Sequence, residues 1–153
     1  MDEIDREIVR LLYANGRLNQ ERIAQEVKLS RPAVHERVRR LEKQGVIRGY
    51  KALVDWAALG QPVTAFVWVR TSGMKCRETG PVLMGLSCDG ATVEECHSVT
   101  GEWCLLLKVR AASPSTLQDL IDEIRAAPGV EGTMTTVALS TIGEDRRVVG
   151  ERS

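Results

Sequence analysis

Aromatic residues, histidines and long apolar runs are scarce in this chain of 153 residues. Aromatic side chains make up 4% of it, and there are two histidines. No apolar run approaches the ~18 residues that a membrane-spanning helix requires. The acidic start of the chain, Met1 to Asp5, lacks the apolar segment of a secretory signal peptide. We therefore expect a soluble protein of the cytoplasm without a membrane partner.

The sequence also lacks the residue patterns that are typical of catalytic, metal-binding and phosphate-binding sites. The four cysteines, at positions 76, 88, 96 and 104, form no C-x-x-C pair, and two histidines are too few for a zinc centre. The chain has no Gly-rich phosphate loop and no Ser-His-Asp arrangement. We therefore expect no enzyme activity, no metal and no cofactor, and a small enzyme is the weakest of the functions considered. Reduced thiols are expected in a chain without a secretion signal.

A strand hairpin would bring two of these cysteines close to a histidine. Cys96, His97 and Cys104 flank Thr100-Gly101, which has the composition of a turn. Successive strand residues point to opposite faces, so Cys96 and His97 should not share a site. Thiols that pack as small apolar groups are the preferred interpretation, and a metal or redox site is the alternative.

The charge is balanced overall but uneven along the chain. Lys+Arg and Asp+Glu number 21 each, yet residues 1–60 carry a net charge of +3 and residues 61–153 a net charge of −3. Between Lys28 and Lys51 there are eight basic residues and two acidic ones. This local excess is typical of a surface that binds phosphate. A solvated surface without a partner would have the same balance.

The first sixty residues have the spacing of three helices. Apolar residues recur with helical period near Ile8, near Ile23 and again at Val34, Val38 and Leu41. Asn19 and Ser30 are suited to cap the second and third helices, and Pro32 lies in the first turn of the third. Residues 46–54 predict two short strands. Two helices, a tight turn and a third helix make the helix-turn-helix arrangement.

The third helix places basic and polar residues opposite its apolar side. Its early exposed residues, Arg31, Ala33, His35 and Glu36, would reach base edges in a major groove, while lysines and arginines would meet phosphates. Free N–H groups after Ser30 could hold a phosphate at the helix N-terminus. We expect DNA contacts from the following residues: Lys28, Ser30, Arg31, Pro32, Ala33, His35, Glu36, Arg39, Arg40, Lys43, Arg48 and Lys51. An amphipathic helix with a solvated face is the alternative.

The rest of the chain predicts a second, α+β domain. The pattern indicates strands over 62–71, 91–99, 103–109 and 133–141, and helices over 78–86 and from Pro114 to about Pro128. Val82, Leu83 and Leu86 are expected to face inward from the first of these helices. The order β-α-β-β-α-β is that of ferredoxin-like folds, whose helices cover one sheet face only. Self-association is the simplest cover for the other face.

The chain resembles the Lrp/AsnC, or feast/famine, family of transcriptional regulators. In the first half the segments that carry the resemblance are DEIDREI (2–8), NGR (15–17), IAQEVKLSR (23–31), VHERVRRLE (34–42) and GVIRGY (45–50), and in the second half VTGEWCLLLKV (99–109). The resemblance implies a winged helix-turn-helix DNA-binding domain over residues 1–55, a linker over 56–62 and a ligand-sensing and oligomerisation domain over 63–153. It also implies dimers that assemble into octamers or other closed oligomers.

The resemblance further implies an effector site near the Thr-Gly turn, between neighbouring dimers, that often takes an amino acid. Carried over by position, its residues are Thr100, Gly101, Glu102, Trp103 and Cys104, with Thr135 and Thr136 of the last strand. The family's turn reads roughly Gly-Asp-Tyr-Asp, so a thiol at Cys104 replaces a carboxylate that suits an ammonium group. Three hypotheses follow: the effector is not an amino acid, Glu102 supplies the charge, or no effector binds.

The predicted function is therefore sequence-specific regulation of transcription through double-stranded DNA, modulated by a small effector. A two-fold dimer would present two recognition helices to one side of the duplex, so its operator should be a pseudo-palindrome. The alternative is an effector-sensing module whose helical domain binds protein rather than DNA.

Overall fold

The computed structural model describes residues 1–72, 76–144 and 147–148. The chain forms two compact units, Met1–Val54 and Asp55–Ser153. The predicted second domain extends to residue 153, and its last five residues lie outside the described part. None of the described helices combines the length and the apolar character needed to cross a bilayer.

The first unit contains three helices: α1 (Glu3–Ala14), α2 (Gln20–Val27) and α3 (Arg31–Lys43). The caps are those expected from the sequence, since the side chain of Asn19 accepts a hydrogen bond from the N–H of Arg22, and that of Ser30 accepts one from the N–H of Ala33. The core of this unit contains the following buried residues: Ile8, Ile23, Ala24, Val34, Val38 and Leu41. These are the apolar positions with helical spacing, so burial of one stripe per helix holds the three together.

The predicted hairpin over residues 46–54 is wrong. The structure describes all nine residues and assigns no strand to any of them. Ile47 packs against the core of the unit, but Tyr50, Leu53 and Val54 are all at least 43% exposed, so the later part of the segment has no covered apolar face. A two-stranded ribbon that no helix or further strand covers is marginal at best in water.

The second unit is built on a five-stranded antiparallel sheet with the strand order β2-β3-β4-β1-β5. Its strands are β1 (Val63–Thr71), β2 (Ser87–Cys88), β3 (Ala91–Ser98), β4 (Leu105–Ala111) and β5 (Val130–Val137), and its helices are α4 (Cys76–Met84) and α5 (Pro114–Ala126). Short strands β6 (Gly143–Glu144) and β7 (Arg147–Val148) pair separately. Apart from the unpredicted two-residue β2, this is the predicted ferredoxin-like order.

Alternation along β1 decides which sheet face is buried. Ala65, Val67 and Val69 are fully buried under the two helices, in the same cluster as Leu83 of α4 and Leu120 of α5. The apolar residues of α5 that recur at helical spacing, Leu117, Leu120, Ile121 and Ile124, are all buried. These layers form the core of the second unit.

Several predicted details of this unit are corrected. Val82 is 49% exposed instead of facing inward, because α4 begins at Cys76 and turns Thr79, Gly80 and Leu83 toward the core. β4 begins at Leu105 rather than at residue 103. The last strand covers Val130–Val137 rather than 133–141, and Leu139 beyond it is fully exposed.

The segment between the predicted domains contacts the sheet of the second unit. Residues 56–60 form a turn that is closed by a hydrogen bond of 2.8 Å from the N–H of Gln61 to the carbonyl of Trp56. The guanidinium of Arg110, itself 4% exposed, lies 5.1 Å from the centre of the Trp56 ring. A cation–π contact therefore fixes this turn against β4.

Candidate functional site

A tight turn between α2 and α3 determines how α3 is positioned, and this turn requires an unusual backbone conformation. Lys28 ends α2 in the left-handed conformation (φ 54°, ψ 44°), the only non-glycine residue with positive φ among those described. Two residues later Ser30 caps α3, and Pro32 lies in its first turn. A left-handed C-terminal residue followed at once by an N-cap makes the chain change direction within three residues. The turn thus sets α3 at an angle to α2.

The outward side of α3 is an exposed polar face about three helical turns long. Val34, Val38 and Leu41 are at most 6% exposed, while the opposite side faces solvent. Ala33 is half-buried. The exposed residues of the polar face are Arg31, Pro32, His35, Glu36, Arg39, Arg40 and Lys43. We call them, together with Ala33, the α3 face.

One arginine of this face is already bound within its own unit. Nη2 of Arg40 lies 2.8 Å from both carboxylate oxygens of Asp5, and Nη1 of Arg37 lies 2.8 Å from Oδ1 of Asp5 and 2.6 Å from Oδ2 of Asp2. Asp5 is 2% exposed, so α1 and α3 are joined at a buried carboxylate. Arg40 therefore has less capacity for phosphate than its place on the helix predicts.

The charge of Asp5 is maintained despite burial. Desolvation opposes its ionisation, but the N–H of Asp2 and the guanidinium groups of Arg37 and Arg40 together lower its pKa. The pKa of Asp2 is lowered as well, chiefly because its carboxylate accepts a hydrogen bond from Arg37. The cluster is ionised over the neutral range.

A contact that the sequence pattern did not indicate supports the middle of the α3 face. The Nδ1 atom of His35 lies 3.1 Å from Nε2 and 3.2 Å from Oε1 of Gln20, the first residue of α2. Gln20 thereby becomes a further candidate for the same surface. The sequence indicated this role only through the position of Gln20, directly after the cap residue Asn19. A side chain from a second helix thus holds the imidazole within the α3 face.

The remaining predicted DNA contacts lie on either side of α3. Lys28, Arg48 and Lys51 are exposed. Arg48 and Lys51 belong to the segment that forms no strand, so the structure gives them no fixed hairpin geometry. These basic residues therefore flank α3 in the sequence, and those after it lie in a segment without regular secondary structure.

The turn at residues 100–104 is organised around an arginine that the sequence did not single out. Gly101 has φ +114°, which favours glycine. Nη1 of Arg70 lies 3.1 Å from Oε1 of Glu102, and its guanidinium carbon lies 5.5 Å from the centre of the Trp103 ring. Glu131 of β5 lies 3.8 Å from the same guanidinium. Arg70, on the open face of the sheet, thus holds both the acidic and the aromatic residue of the turn.

The two threonines assigned to the effector site do not share a face. Thr135 pairs with Val67, which is buried under the helices, whereas Thr136 pairs with Phe66 on the open face. Cross-strand partners point to the same side of a sheet. Only one of the two hydroxyls can line any single site. Thr136 lies on the same face as Arg70, and Thr100 is exposed at the turn.

Cys104, the last residue of the turn, is one of two cysteines whose thiols contact Thr71. The thiol of Cys104 lies 3.1 Å from Oγ1 of Thr71, and that of Cys76 lies 3.4 Å from the same oxygen. Cys96 instead points to the buried face beside Gly80, and His97 pairs with Glu95 at 2.9 Å. The cluster of Cys96, His97 and Cys104 considered from the sequence is therefore not formed. Within the described ranges no three His, Cys, Asp or Glu side chains are placed to share a metal ion.

The open face of the sheet has an apolar centre with charged groups along its border. Phe66 and Met134 are 36% and 44% exposed, and Trp68 and Leu106 between them are half-buried. Nζ of Lys108 lies 3.3 Å from Glu94 and 3.6 Å from Glu95 at the border. Such a centre and border are typical of a protein–protein contact.

Comparison with known proteins agrees with this division of the chain. Residues 1–48 match a family model described as winged helix-turn-helix DNA-binding, and residues 64–148 match one described as the Lrp/AsnC ligand binding domain. The HTH-type transcriptional regulator LrpA of Mycobacterium tuberculosis is 38% identical over 147 residues, which cover 96% of this chain and 95% of LrpA. Regulator FL11 of Pyrococcus abyssi is 32% identical over 141 residues, covering 92% and 91%.

Solved structures show the same fold over nearly the whole length. The crystal structure of the leucine response regulatory protein of M. tuberculosis matches with a TM-score of 0.80 and 35% identity, covering 97% of this chain and 99% of that one. A feast or famine regulatory protein of M. tuberculosis complexed with L-methionine matches with a TM-score of 0.82 and 36% identity, covering 97% and 98%.

Proposed function

The chain belongs to the Lrp/AsnC family of DNA-binding transcriptional regulators, and from this premise we propose that the α3 face enters the major groove of its operator. Sequence-specific control of transcription is the function of the family. Its relatives are named as transcriptional regulators, and catalysis has no support among them. We propose that this regulator acts in the cytoplasm, as expected from its DNA-binding role.

The observation that carries this proposal is the exposure of the α3 face. A helix of 13 residues buries its whole apolar side and presents Arg31, His35 and Arg39 to solvent at the start and middle of the opposite side. Early residues of a recognition helix reach base edges. We assign base reading to Arg31, Ala33, His35 and Glu36.

Phosphate binding is assigned to the basic residues around this centre. Lys28 precedes the helix, Arg39 and Lys43 lie along it, and Arg48 and Lys51 follow it. In the first turn of α3, Pro32 has no N–H and the N–H of Ala33 donates to Ser30, so the N–H of Arg31 is the group left to meet a phosphate. Arg40 has a secondary role, because its guanidinium is bound to Asp5.

Titration of duplex DNA by fluorescence anisotropy at two or more salt concentrations tests this assignment. Arg39→Ala should weaken binding and reduce the salt slope by about 0.9 per bound subunit, because one phosphate contact releases about one counterion. Arg77→Ala, which removes an equally exposed arginine from α4, is the matched control and should leave both quantities unchanged. Equal effects of the two substitutions would refute the assignment to α3. Absence of any duplex binding at low salt would favour a helical unit that binds protein.

We also propose that the open sheet face forms the dimer. Its apolar centre around Phe66 and Met134 requires a cover, and a second copy supplies one of matching shape and character. A two-fold dimer presents two α3 faces, which makes a pseudo-palindromic operator the expected target. We propose that dimers assemble further, into octamers or other closed oligomers, as the family resemblance implies. Sedimentation with and without operator DNA measures both steps.

The turn at residues 100–104 is the proposed effector site. The relative that is complexed with L-methionine supports an amino-acid effector. In this chain the carboxylate of Glu102 is held by Arg70, so an effector ammonium would have to compete with that guanidinium. Calorimetry with a panel of amino acids on the unchanged protein and on Cys104→Asp tests this. Tight binding by the unchanged protein supports an amino acid, whereas binding by Cys104→Asp alone assigns the loss to the thiol.

A further inference from the structure

Two cysteines far apart in the sequence meet beside the turn of residues 100–104. Thr71, at the end of β1 and 7% exposed, lies within hydrogen-bonding distance of both, with its Oγ1 atom 3.4 Å from Sγ of Cys76 and 3.1 Å from Sγ of Cys104. The two sulfurs therefore contact the same hydroxyl oxygen. Both cysteines are half-buried, so small solutes reach them without unfolding.

The other two cysteines of the chain have different surroundings. Burial raises the pKa of both Cys88 and Cys96. At Cys104 burial acts in the same direction, but hydrogen bonds with Cys76 and Thr71 outweigh it and lower the pKa of this thiol. The thiolate is the reactive form of cysteine, so Cys104 should react before Cys88 and Cys96.

We propose that Cys76 and Cys104 form a redox pair that hydrogen peroxide converts into an intramolecular disulfide. The Cys104 thiolate attacks the O–O bond, which gives Cys104 sulfenic acid and a hydroxide that is protonated to water. The Cys76 sulfur then attacks the sulfenic sulfur, its proton leaves with the displaced hydroxide as a second water, and the S–S bond forms. Two thiols are oxidised and one peroxide is reduced to two waters.

The neighbourhood of the pair favours the second step. A disulfide holds its sulfurs at about 2 Å, and these two already have the hydroxyl of Thr71 as a common neighbour. Cys76 is the first residue of α4 and Cys104 precedes β4. Closure requires that the two sulfurs move toward each other past that hydroxyl.

The disulfide would tie the turn of residues 100–104 to the first residue of α4. Glu102 and Trp103, which Arg70 holds, precede Cys104 directly in that turn. Oxidation would therefore restrict the turn covalently. The regulatory effect of oxidation rests on the proposed function, because it requires that this turn affects DNA binding. Formation of the disulfide itself does not rest on the proposed function.

The test is a peroxide titration of the whole reduced protein followed by thiol counting and peptide mapping. The expected result is loss of two of the four thiols, a cross-linked peptide that contains Cys76 and Cys104, and full recovery with dithiothreitol. A disulfide between subunits, a disulfide that involves Cys88 or Cys96, or four alkylatable thiols at the end of the titration would each overturn the proposal.

Four single substitutions to serine separate the two chemical steps. Cys76→Ser should accumulate a sulfenic acid at Cys104 that dimedone traps, and Cys104→Ser should lose both the adduct and the disulfide. Cys88→Ser and Cys96→Ser are matched controls and should oxidise like the unchanged protein. Equal dimedone labelling of the Cys76→Ser and Cys104→Ser proteins would overturn the assignment of Cys104 as the attacking thiol.

Thr71 is a positioning residue in this proposal. Thr71→Val keeps the shape of the buried side chain but removes the hydroxyl, so the midpoint of the pH profile for iodoacetamide alkylation of Cys104 should move to higher pH. A merely structural role would leave this profile unchanged. DNA anisotropy of the reduced and oxidised protein is the separate regulatory measurement. A mapped disulfide without any change in DNA binding would keep the redox pair and refute only its regulatory effect.

Discussion

Replacement of Asp5 by asparagine should loosen the attachment of α1 to α3 while leaving the DNA-facing residues in place. The carboxylate accepts hydrogen bonds from both Arg37 and Arg40, and it is 2% exposed. Asparagine keeps one acceptor oxygen but loses the charge, and its amide hydrogens face guanidinium donors. Loss of one partner of a fully buried ion pair costs about 3–5 kcal/mol.

The partly exposed position of Arg40 lowers that figure. Its side chain is 47% exposed, so water takes over part of the lost interaction. We therefore expect a loss of about 2 kcal/mol, near the middle of the range for hydrogen bonds to charged groups. This corresponds to an approximately 30-fold increase in the open population of the first unit.

Hydrogen exchange of the α1 and α3 peptides measures this opening directly. Glu7→Gln is the control, because it removes an acidic residue from the same helix whose partner Arg10 is 68% exposed. We expect that control to exchange like the unchanged protein. Equal exchange in the Asp5→Asn and unchanged proteins would refute the view that this buried carboxylate joins the two helices.

The pH dependence provides a second check with a defined sign. The pKa of Asp5 is lowered in the folded protein, so its stabilisation is complete above the ordinary carboxyl pKa of about 3.9 and is lost as the pH falls through the lower folded value. The stability gap between the unchanged protein and Asp5→Asn should therefore be constant from about pH 6 to about pH 4 and narrow below about pH 4. A gap that stays constant would mean that the charge of Asp5 is not its cause.

Three further predictions concern the second unit. Leu120→Ala should lower the free energy of unfolding by about 2–5 kcal/mol, measured by urea denaturation, because this side chain is fully buried; a loss within the error of surface variants would contradict the packing. Phe66→Glu should shift sedimentation toward the monomer, whereas Val82→Glu, on the exposed side of α4, should not. Glu102→Gln should release Arg70 and, if Glu102 binds an effector ammonium, abolish the calorimetric heat of amino-acid binding; unchanged heat would exclude that role.

Much of the fold could be predicted because it depends on local spacing. Val34, Val38 and Leu41 lie on one side of a helix at any tertiary arrangement, and Ser30 caps that helix through an N–H three residues away. The alternation along β1 likewise assigned Ala65, Val67 and Val69 to the buried face. The residues of α3 that could meet DNA were found in the same way, as the side opposite the apolar stripe.

Contacts between distant residues were decided by the tertiary structure alone. Nothing in the local pattern indicates that Asp5 binds Arg40, that Arg70 holds Glu102, or that the thiols of Cys76 and Cys104 both contact Thr71. Each contact depends on how helices and strands pack, which periodicity does not encode. Predictions from the sequence were therefore least accurate for charged and thiol side chains. Their chemistry is determined by partners that only the folded chain brings within a few ångströms.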